Sequence, residues 1–162
     1  AQALATADRQ GWPRFVSMQN HYNLVYREEE REMIPLCLQE NIAVIPWSPL
    51  ARGLLAGTRQ QPDDKQSTKR AESDDYARKL YDQPGDAEVI ETVKSVATGR
   101  GVAPAQVALA WLLSKTAVTA PIIGATRLEH LDAAVEAVDL TLDHTEISAL
   151  EKPYQPHPVR GF

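Results

Sequence analysis

Residues 42–47, Ile-Ala-Val-Ile-Pro-Trp, restrict the fold of this chain more than any other stretch. Six apolar residues follow one another, and Ile42, Val44 and Ile45 are β-branched. A strand wetted on one face alternates apolar with polar residues; an unbroken apolar run is covered on both faces, as in a parallel sheet flanked by helices. The run ends at Trp47 and passes at once into Ser48, Pro49, Leu50, Ala51, Arg52 and Gly53. Such a segment sits at the carboxyl end of its strand, where α/β folds gather their ligand sites.

Two further runs fit the same scheme. Residues 15–22 read as a strand, and residues 119–124 read as a third, buried one. Helical patterns lie between and around them. Residues 1–10 read as the end of a helix stopped by Gly11 and Pro13. Residues 28–40 predict an amphipathic helix whose inner face holds Met33, Leu36, Cys37 and Leu38. Glu28, Glu29 and Glu30 would occupy its solvated first turn, favoured by the helix dipole, and Pro35 marks an adjustment within it. Residues 87–99 predict a helix closed by Gly99 and Gly101. The next starts at Pro104 and buries Val107, Leu109, Ala110, Leu112 and Leu113. Residues 128–138 and 145–151 complete the set, before an extended tail over 153–162. Residues 57–86 differ in character: a polar, mixed-charge excursion with one short helix near 72–82.

Consecutive strand–helix units with fully apolar strands give a parallel sheet with helices outside. Three such strands alone leave two open edges. A complete eightfold barrel takes roughly 250 residues, and the 162 here hold about three βα units. The fold expected is therefore α/β, the C-terminal portion of a (β/α)8 TIM barrel, organised as a single domain over residues 1–162. The chain opens on Ala1 in the middle of a helical pattern, which fits that expectation.

Composition narrows the function classes. Seventeen basic against 22 acidic residues give a net charge of −5, which argues against a nucleic-acid or membrane-surface binder. No apolar run approaches the roughly 20 residues of a membrane span, and no leader pattern opens the sequence. Cys37 is the only cysteine, so no internal disulfide forms; its apolar setting makes it a core residue rather than a nucleophile. A cytoplasmic setting is expected. His144 and His157 lack zinc-ligand spacing, and neither H-E-x-x-H, G-x-S-x-G nor G-x-G-x-x-G occurs.

The segment after residue 46 carries the chemistry. Trp47 offers a flat face, Ser48 a hydroxyl, Arg52 a fixed positive charge and Gly53 close backbone approach. An aromatic plane beside an anion-binding turn suits a nicotinamide dinucleotide. The alternative is a strand end with a core tryptophan and a surface arginine.

Four segments extend the pattern: Ser17-Met-Gln-Asn-His-Tyr-Asn23, Trp47-Ser-Pro-Leu-Ala-Arg-Gly53, Ala105-Gln-Val-Ala-Leu-Ala-Trp111 and Pro121-Ile-Ile-Gly-Ala125. In order and spacing they resemble the C-terminal half of the aldo-keto reductases, most nearly the bacterial branch with the YajO-type oxidoreductases. The resemblance implies a (β/α)8 barrel that reduces aldehydes or ketones with NADPH, the cofactor lying across the carboxyl ends of the strands. It implies that Gln19 hydrogen-bonds the nicotinamide carboxamide and that Trp47 stacks on the nicotinamide ring. Ser48, Pro49, Leu50, Ala51, Arg52 and Gly53 would line the pyrophosphate. Gly124, Thr126 and Arg127 would take the adenosine 2′-phosphate end. Arg70, in the polar excursion, matches a basic residue folded over the cofactor, or is simply a loop charge. Ala133 and Ala134 stand where the family pattern has Glu-Asn, so adenine contacts depart from that pattern. His130 replaces a Gln or Arg there, or is a solvated helix residue.

The proton donor of that family, a tyrosine in an Asp–Tyr–Lys–His tetrad, belongs to motifs absent from these residues. Neither His21 nor Tyr22, beside Gln19, is assigned a catalytic role. The expected partners are a small carbonyl substrate and the N-terminal half of the barrel, with no nucleic acid and no membrane. The isolated chain is expected to bind cofactor without turning over. A cofactor-binding sensor of the same fold, like the potassium-channel β subunits, is the alternative function, and a truncated product that folds poorly is a third.

Overall fold

The computed structural model describes residues 1–57, 80, 81 and 83–159. Its centre is parallel pairing. Strand β1 (Ser17–Met18) lies beside β2 (Ala43–Val44), with Ser17 opposite Ala43 and Met18 opposite Val44. The pairing continues beyond the regular ladder, where Trp47 N–H donates to the Asn20 carbonyl at 2.9 Å and His21 bridges to Trp47 in parallel. On its other edge β2 meets residues 118–122. Val44 bridges to Val118, Thr119 N–H reaches the Val44 carbonyl at 2.8 Å, and Ile122 N–H reaches the Pro46 carbonyl at 2.8 Å.

Three parallel staves thus appear in chain order with β2 in the middle, as the apolar runs predict. They are shorter than expected. Only two residues each of the runs 15–22 and 42–47 form regular ladder, and 119–124 touches β2 at isolated points. Pro46 and Pro121 have no N–H to give, so a ladder through them cannot be continuous. The third run also differs in burial: Ile122 and Ile123 are exposed, and so are Phe15 and Val16 at the start of the first. Among the described residues no further stave covers those edges.

The helices follow the sequence closely. Helix α1 (Gln2–Gln10) ends at Gly11, whose φ of 66° favours a residue without a Cβ. Arg14 pairs with Asp8 at 3.4 Å and with Glu40, holding α1 against the helix before β2. That helix, α2 (Met33–Gln39), is shorter than the expected 28–40. Glu28, Glu29 and Glu30 form a separate 3₁₀ turn in front of it. Pro35 lies in the first turn of α2, where a missing N–H costs nothing. Cys37 is buried, but Leu38 is exposed and leaves the inner face that periodicity gives it.

Helix α3 (Asp86–Arg100) contains Gly99 and stops at Gly101, which takes φ 65°; Gly99 does not close it. Helix α4 (Pro104–Leu113) buries every residue from Gln106 to Leu112 while Leu113 is only half-buried. Gln106 reaches back to accept from Ala103 N–H at 2.8 Å and donates to Glu136 at 2.8 Å, tying α4 to α5 (Leu128–Glu136). Helix α6 (His144–Glu151) begins with a reciprocal cap, Asp143 accepting from Glu146 N–H at 2.9 Å and Glu146 accepting from Asp143 N–H at 2.8 Å. Arg100 grips Glu146 with two bonds of 2.6 Å, and that pairing draws the Glu146 carboxyl down to about 2.

The core gathers around Trp111 with Tyr22, Leu24, Val25, Tyr26, Val89, Val93 and Leu150. Two acids beside it, Glu28 buried and Glu30 half-buried, overturn the expectation of a solvated glutamate run. Glu28 is buried and accepts from Tyr154 O–H at 2.6 Å and His157 N–H at 2.7 Å, with Arg31 at 3.0 Å. Glu30 takes the Tyr22 hydroxyl at 2.6 Å and Arg27 through two bonds of 2.9 and 2.8 Å. The part of the tail described, up to residue 159, is therefore anchored by side chains far away in sequence. Most of the expected 57–86 excursion, including its helix near 72–82 and Arg70, lies outside the described residues, as do Gly161 and Phe162.

Glu151 gives this packing a clean test. It accepts from Trp111 Nε1 at 2.9 Å and pairs with Lys115, while Arg27 stands 3.5 Å away. Replacing Glu151 by Ala strands a buried indole N–H. The expected loss is about 1–3 kcal/mol in a denaturant melt, with Glu151→Gln losing less.

Candidate functional site

All three staves run parallel, so their carboxyl ends open on one side. The hydrogen bonds that set the register also fix what meets there. Trp47 N–H on Asn20 places Gln19 and the tryptophan on adjacent staves. Ile122 N–H on Pro46 brings the approach to Gly124 alongside the same tryptophan. The three segments that the sequence singles out, at 19, 47–53 and 124–130, thereby lie at one end of one sheet.

The turn after Trp47 has unusual backbone. Ser48, Ala51 and Arg52 hold φ of 55°, 47° and 55°, and Gly53 has φ 101°. Each non-glycine residue in that region costs on the order of 1 kcal/mol, so neighbouring contacts must fix the conformation. Asn23 does so at Ser48: its Nδ2 donates to the Ser48 carbonyl at 2.9 Å. Ala51 N–H then bonds to Ser48 O at 3.0 Å and Gly53 N–H to Leu50 O at 2.9 Å. Leu50 (φ −101°) followed by left-handed Ala51 makes the alternation of right- and left-handed residues that builds anion-binding concavities in backbones. Pro49 and Ala51 are buried, Ser48, Leu50 and Gly53 half-buried, and Arg52 exposed.

Trp47 is half-buried, with one face against His21: the ring centroids are 4.2 Å apart and the planes 12° from parallel. Behind His21 lies Tyr26, again at 4.2 Å and 14°. The His21 edge meets Tyr81, with Nε2 and the phenol oxygen 2.6 Å apart. Tyr81 O also lies 3.2 Å from both Ser48 Oγ and Asn23 Nδ2. Burial, with a smaller effect from His157, holds the His21 imidazole down to about 4. The imidazole is therefore neutral at physiological pH, and no charge sits behind the tryptophan.

Gln19 is exposed at the mouth of the staves. Gly124, Thr126, Arg127 and His130 are exposed too, and Arg127 is the residue that opens α5, which no side chain among the described residues caps. Such a helix start presents unpaired N–H groups to an anion. Among the described residues nothing lies within 4 Å of where a Cβ on Gly124 would stand, so they leave the space beside its backbone open. Arg70 falls outside the described residues. Tyr22 is turned away from this end: its hydroxyl donates to Glu30, and burial together with that carboxylate pushes its ionisation far up. It cannot serve as an acid there.

Sequence reasoning missed four residues that shape the site: Asn23, Tyr26, Tyr81 and His157. Asn23 ends the motif already singled out and Tyr26 lies three residues beyond it, and the turn they share shows why they are held. Each donates its N–H to the other's carbonyl at 3.1 Å, and Asn23 Oδ1 accepts from Val25 N–H at 3.0 Å. Tyr81 stands in a stretch whose polar composition hides a buried aromatic. His157 pairs with Asp86 at 2.9 Å and meets the Tyr26 ring edge-on at 5.9 Å, a contact no sequence pattern announces.

A family model described as the aldo/keto reductase family matches residues 1–155. A Schizosaccharomyces pombe protein that carries an aryl-alcohol dehydrogenase name is 44% identical over 156 residues, covering 96% of this chain and 43% of that protein. Aldo-keto reductase AMT2 of Alternaria alternata is 44% identical, with 96% of this chain and 41% of its own length covered. Versiconal hemiacetal acetate reductase of Aspergillus parasiticus is 42% identical, with 94% and 44% covered. The chain spans less than half the length of each of these relatives.

The neutral buried histidine gives a pH signature. Unfolded, an imidazole takes up a proton near 6.5; folded His21 does so only at about 4. His21 therefore adds nothing to the pH dependence above 6.5. Stability falls as pH drops from 6.5, by roughly 3 kcal/mol at pH 4. Denaturant melts across that window should show this loss in the wild-type chain relative to His21→Phe, whose ring cannot titrate.

Proposed function

The chain belongs to the aldo/keto reductase family, and from that premise we propose that it is the cofactor-binding portion of an NADPH-dependent oxidoreductase that reduces aldehydes or ketones to alcohols. The observation that supports this most is the convergence of Gln19, the 47–53 turn and the 124–127 segment at the carboxyl ends of three parallel staves. The barrel of the whole protein, its small carbonyl substrate and its cytoplasmic setting are parts of the same proposal. Among the described residues no helix is long and apolar enough to cross a membrane. The YajO-type affiliation rests on motif pattern alone, and the relatives named above are fungal.

The residues fit a nicotinamide dinucleotide. NADPH, when bound, supplies a hydride. Trp47 offers it a neutral aromatic face, which orients a ring without competing charge. Gln19 has both a donor and an acceptor for a carboxamide. The left-handed turn at 48–53 and Arg52 would hold the pyrophosphate through N–H groups and a charge-assisted bond. Gly124 leaves room for close approach, and Thr126 with Arg127 would take a 2′-phosphate, the group that separates NADPH from NADH. His130, on the first turn of α5, would face the adenine end, where Ala133 and Ala134 offer no hydrogen bond. Arg70 completes the proposed set. The proton for the carbonyl oxygen comes from a residue outside these 162, so the chain by itself holds cofactor without turnover. The sensor reading shares every one of these contacts and differs only in that proton donor; nothing in the described residues favours it.

Titration of the chain with NADPH, followed by its fluorescence, tests the reading. Trp47→Ala and Arg52→Ala should each weaken binding about tenfold or more, as loss of one stacked ring or one charged hydrogen bond predicts. Arg127→Ala should weaken NADPH while leaving NADH nearly unchanged. Failure of the wild-type chain to bind either cofactor overturns the proposal. Carbonyl reduction by the isolated chain at ordinary enzymatic rates overturns the assignment of the proton donor.

A further inference from the structure

We infer that His21 is a positioning residue: sandwiched between Tyr26 and Trp47, it fixes the plane of the tryptophan on which the nicotinamide would stack. This rests on the cofactor reading above for its consequence, though not for its geometry. Three near-parallel rings, Tyr26, His21 and Trp47, repeat at 4.2 Å with planes 14° and 12° apart. Backbone pairing alone does not set that plane. It brings residues 21 and 47 side by side, but a tryptophan can still turn about its side-chain torsions. The imidazole removes that freedom by covering one face.

The imidazole is itself held in its own plane. Nε2 lies 2.6 Å from the Tyr81 phenol oxygen and 3.3 Å from Asn23 Nδ2. Both partners also hold the next residue, Tyr81 at Ser48 Oγ and Asn23 at the Ser48 carbonyl. The same polar knot therefore orients the ring behind Trp47 and the left-handed turn after it. On the far side of His21, Tyr26 is met edge-on by His157, which is paired to Asp86.

The choice of histidine carries information. Its Nδ1 is buried with no hydrogen-bond partner among the described residues, a cost that leucine or phenylalanine at the same place would avoid. Leucine gives bulk without a plane. Phenylalanine gives a plane without the bonds to Tyr81 and Asn23. Only an aromatic ring with in-plane nitrogen does both. Its neutrality follows from burial, and it keeps a positive charge away from a ring that becomes cationic when oxidised.

The test separates plane from bulk. The chain is labelled with 5-fluorotryptophan, and the Trp47 resonance is assigned from Trp47→Phe. In the wild type and in His21→Phe that resonance should be single and narrow. In His21→Leu, which keeps the volume, it should broaden or split. Tyr26→Leu should shift it the same way and serves where His21→Leu fails to fold. NADPH affinity should remain within about threefold in His21→Phe and fall about tenfold in His21→Leu, the scale of one stacked ring pair. Identical resonances in the Leu and Phe variants overturn the inference. If the fluorine signal separates the two variants while no chain binds NADPH, the positioning role stands and the cofactor reading fails.

Discussion

The middle stave governs everything else in this molecule. β2 is hydrogen-bonded on both edges, to residues 16, 18 and 20 on one side and to residues 119 and 122 on the other. Because all its neighbours run parallel, each connection must return over a helix, and each stave ends on the same side. Three loops remote in sequence are thereby gathered, and Asn23 ties the first to the second through its bond to the Ser48 carbonyl. A register slip of one residue would turn Trp47 to the opposite face and dissolve the arrangement.

Helix packing protects that register. Trp111 fills the space between Tyr22 and the cations Arg27 and Lys115, whose charges stand 5.5 and 4.7 Å from its ring centre. Glu30 and Glu151 answer those charges within the same layer. The polar groups buried here are mostly paired, which is what lets charged residues lie under a helix without a large desolvation cost. Glu28 extends the logic to the tail, binding Tyr154 and His157 against the 3₁₀ turn. Rigidity at the back of the sheet therefore reaches the aromatic stack at its front through His157 and Tyr26.

At the site, strain and its compensation sit side by side. Three non-glycine residues adopt left-handed backbone after Trp47, and one asparagine amide with one tyrosine hydroxyl pins the first of them. Such a turn points its N–H groups where an ordinary turn would not. The second candidate segment uses the simpler device of an uncapped helix start. The two together suit a ligand with anionic groups at separated points along its length.

The sequence by itself determined the element order, the parallel sense of the staves and the segments that gather at their ends. These follow from local rules: apolar runs, helix periodicity, a proline at a first helical turn and glycines with positive φ. Strand lengths were legible only roughly, since apolarity marks burial while prolines decide where a ladder breaks. Gly11 and Gly101 read correctly as stops, whereas Gly99 did not, because glycine is tolerated inside a helix that packing stabilises. Only the tertiary structure decided that Glu28 is buried, that Leu38 is not, and that Tyr81 and His157 reach the ring stack around His21. The physical reason is common to all of them. A side chain's partner from 60 or 129 residues away leaves no periodicity in the sequence, and only the assembled packing determines which charge or ring will be covered.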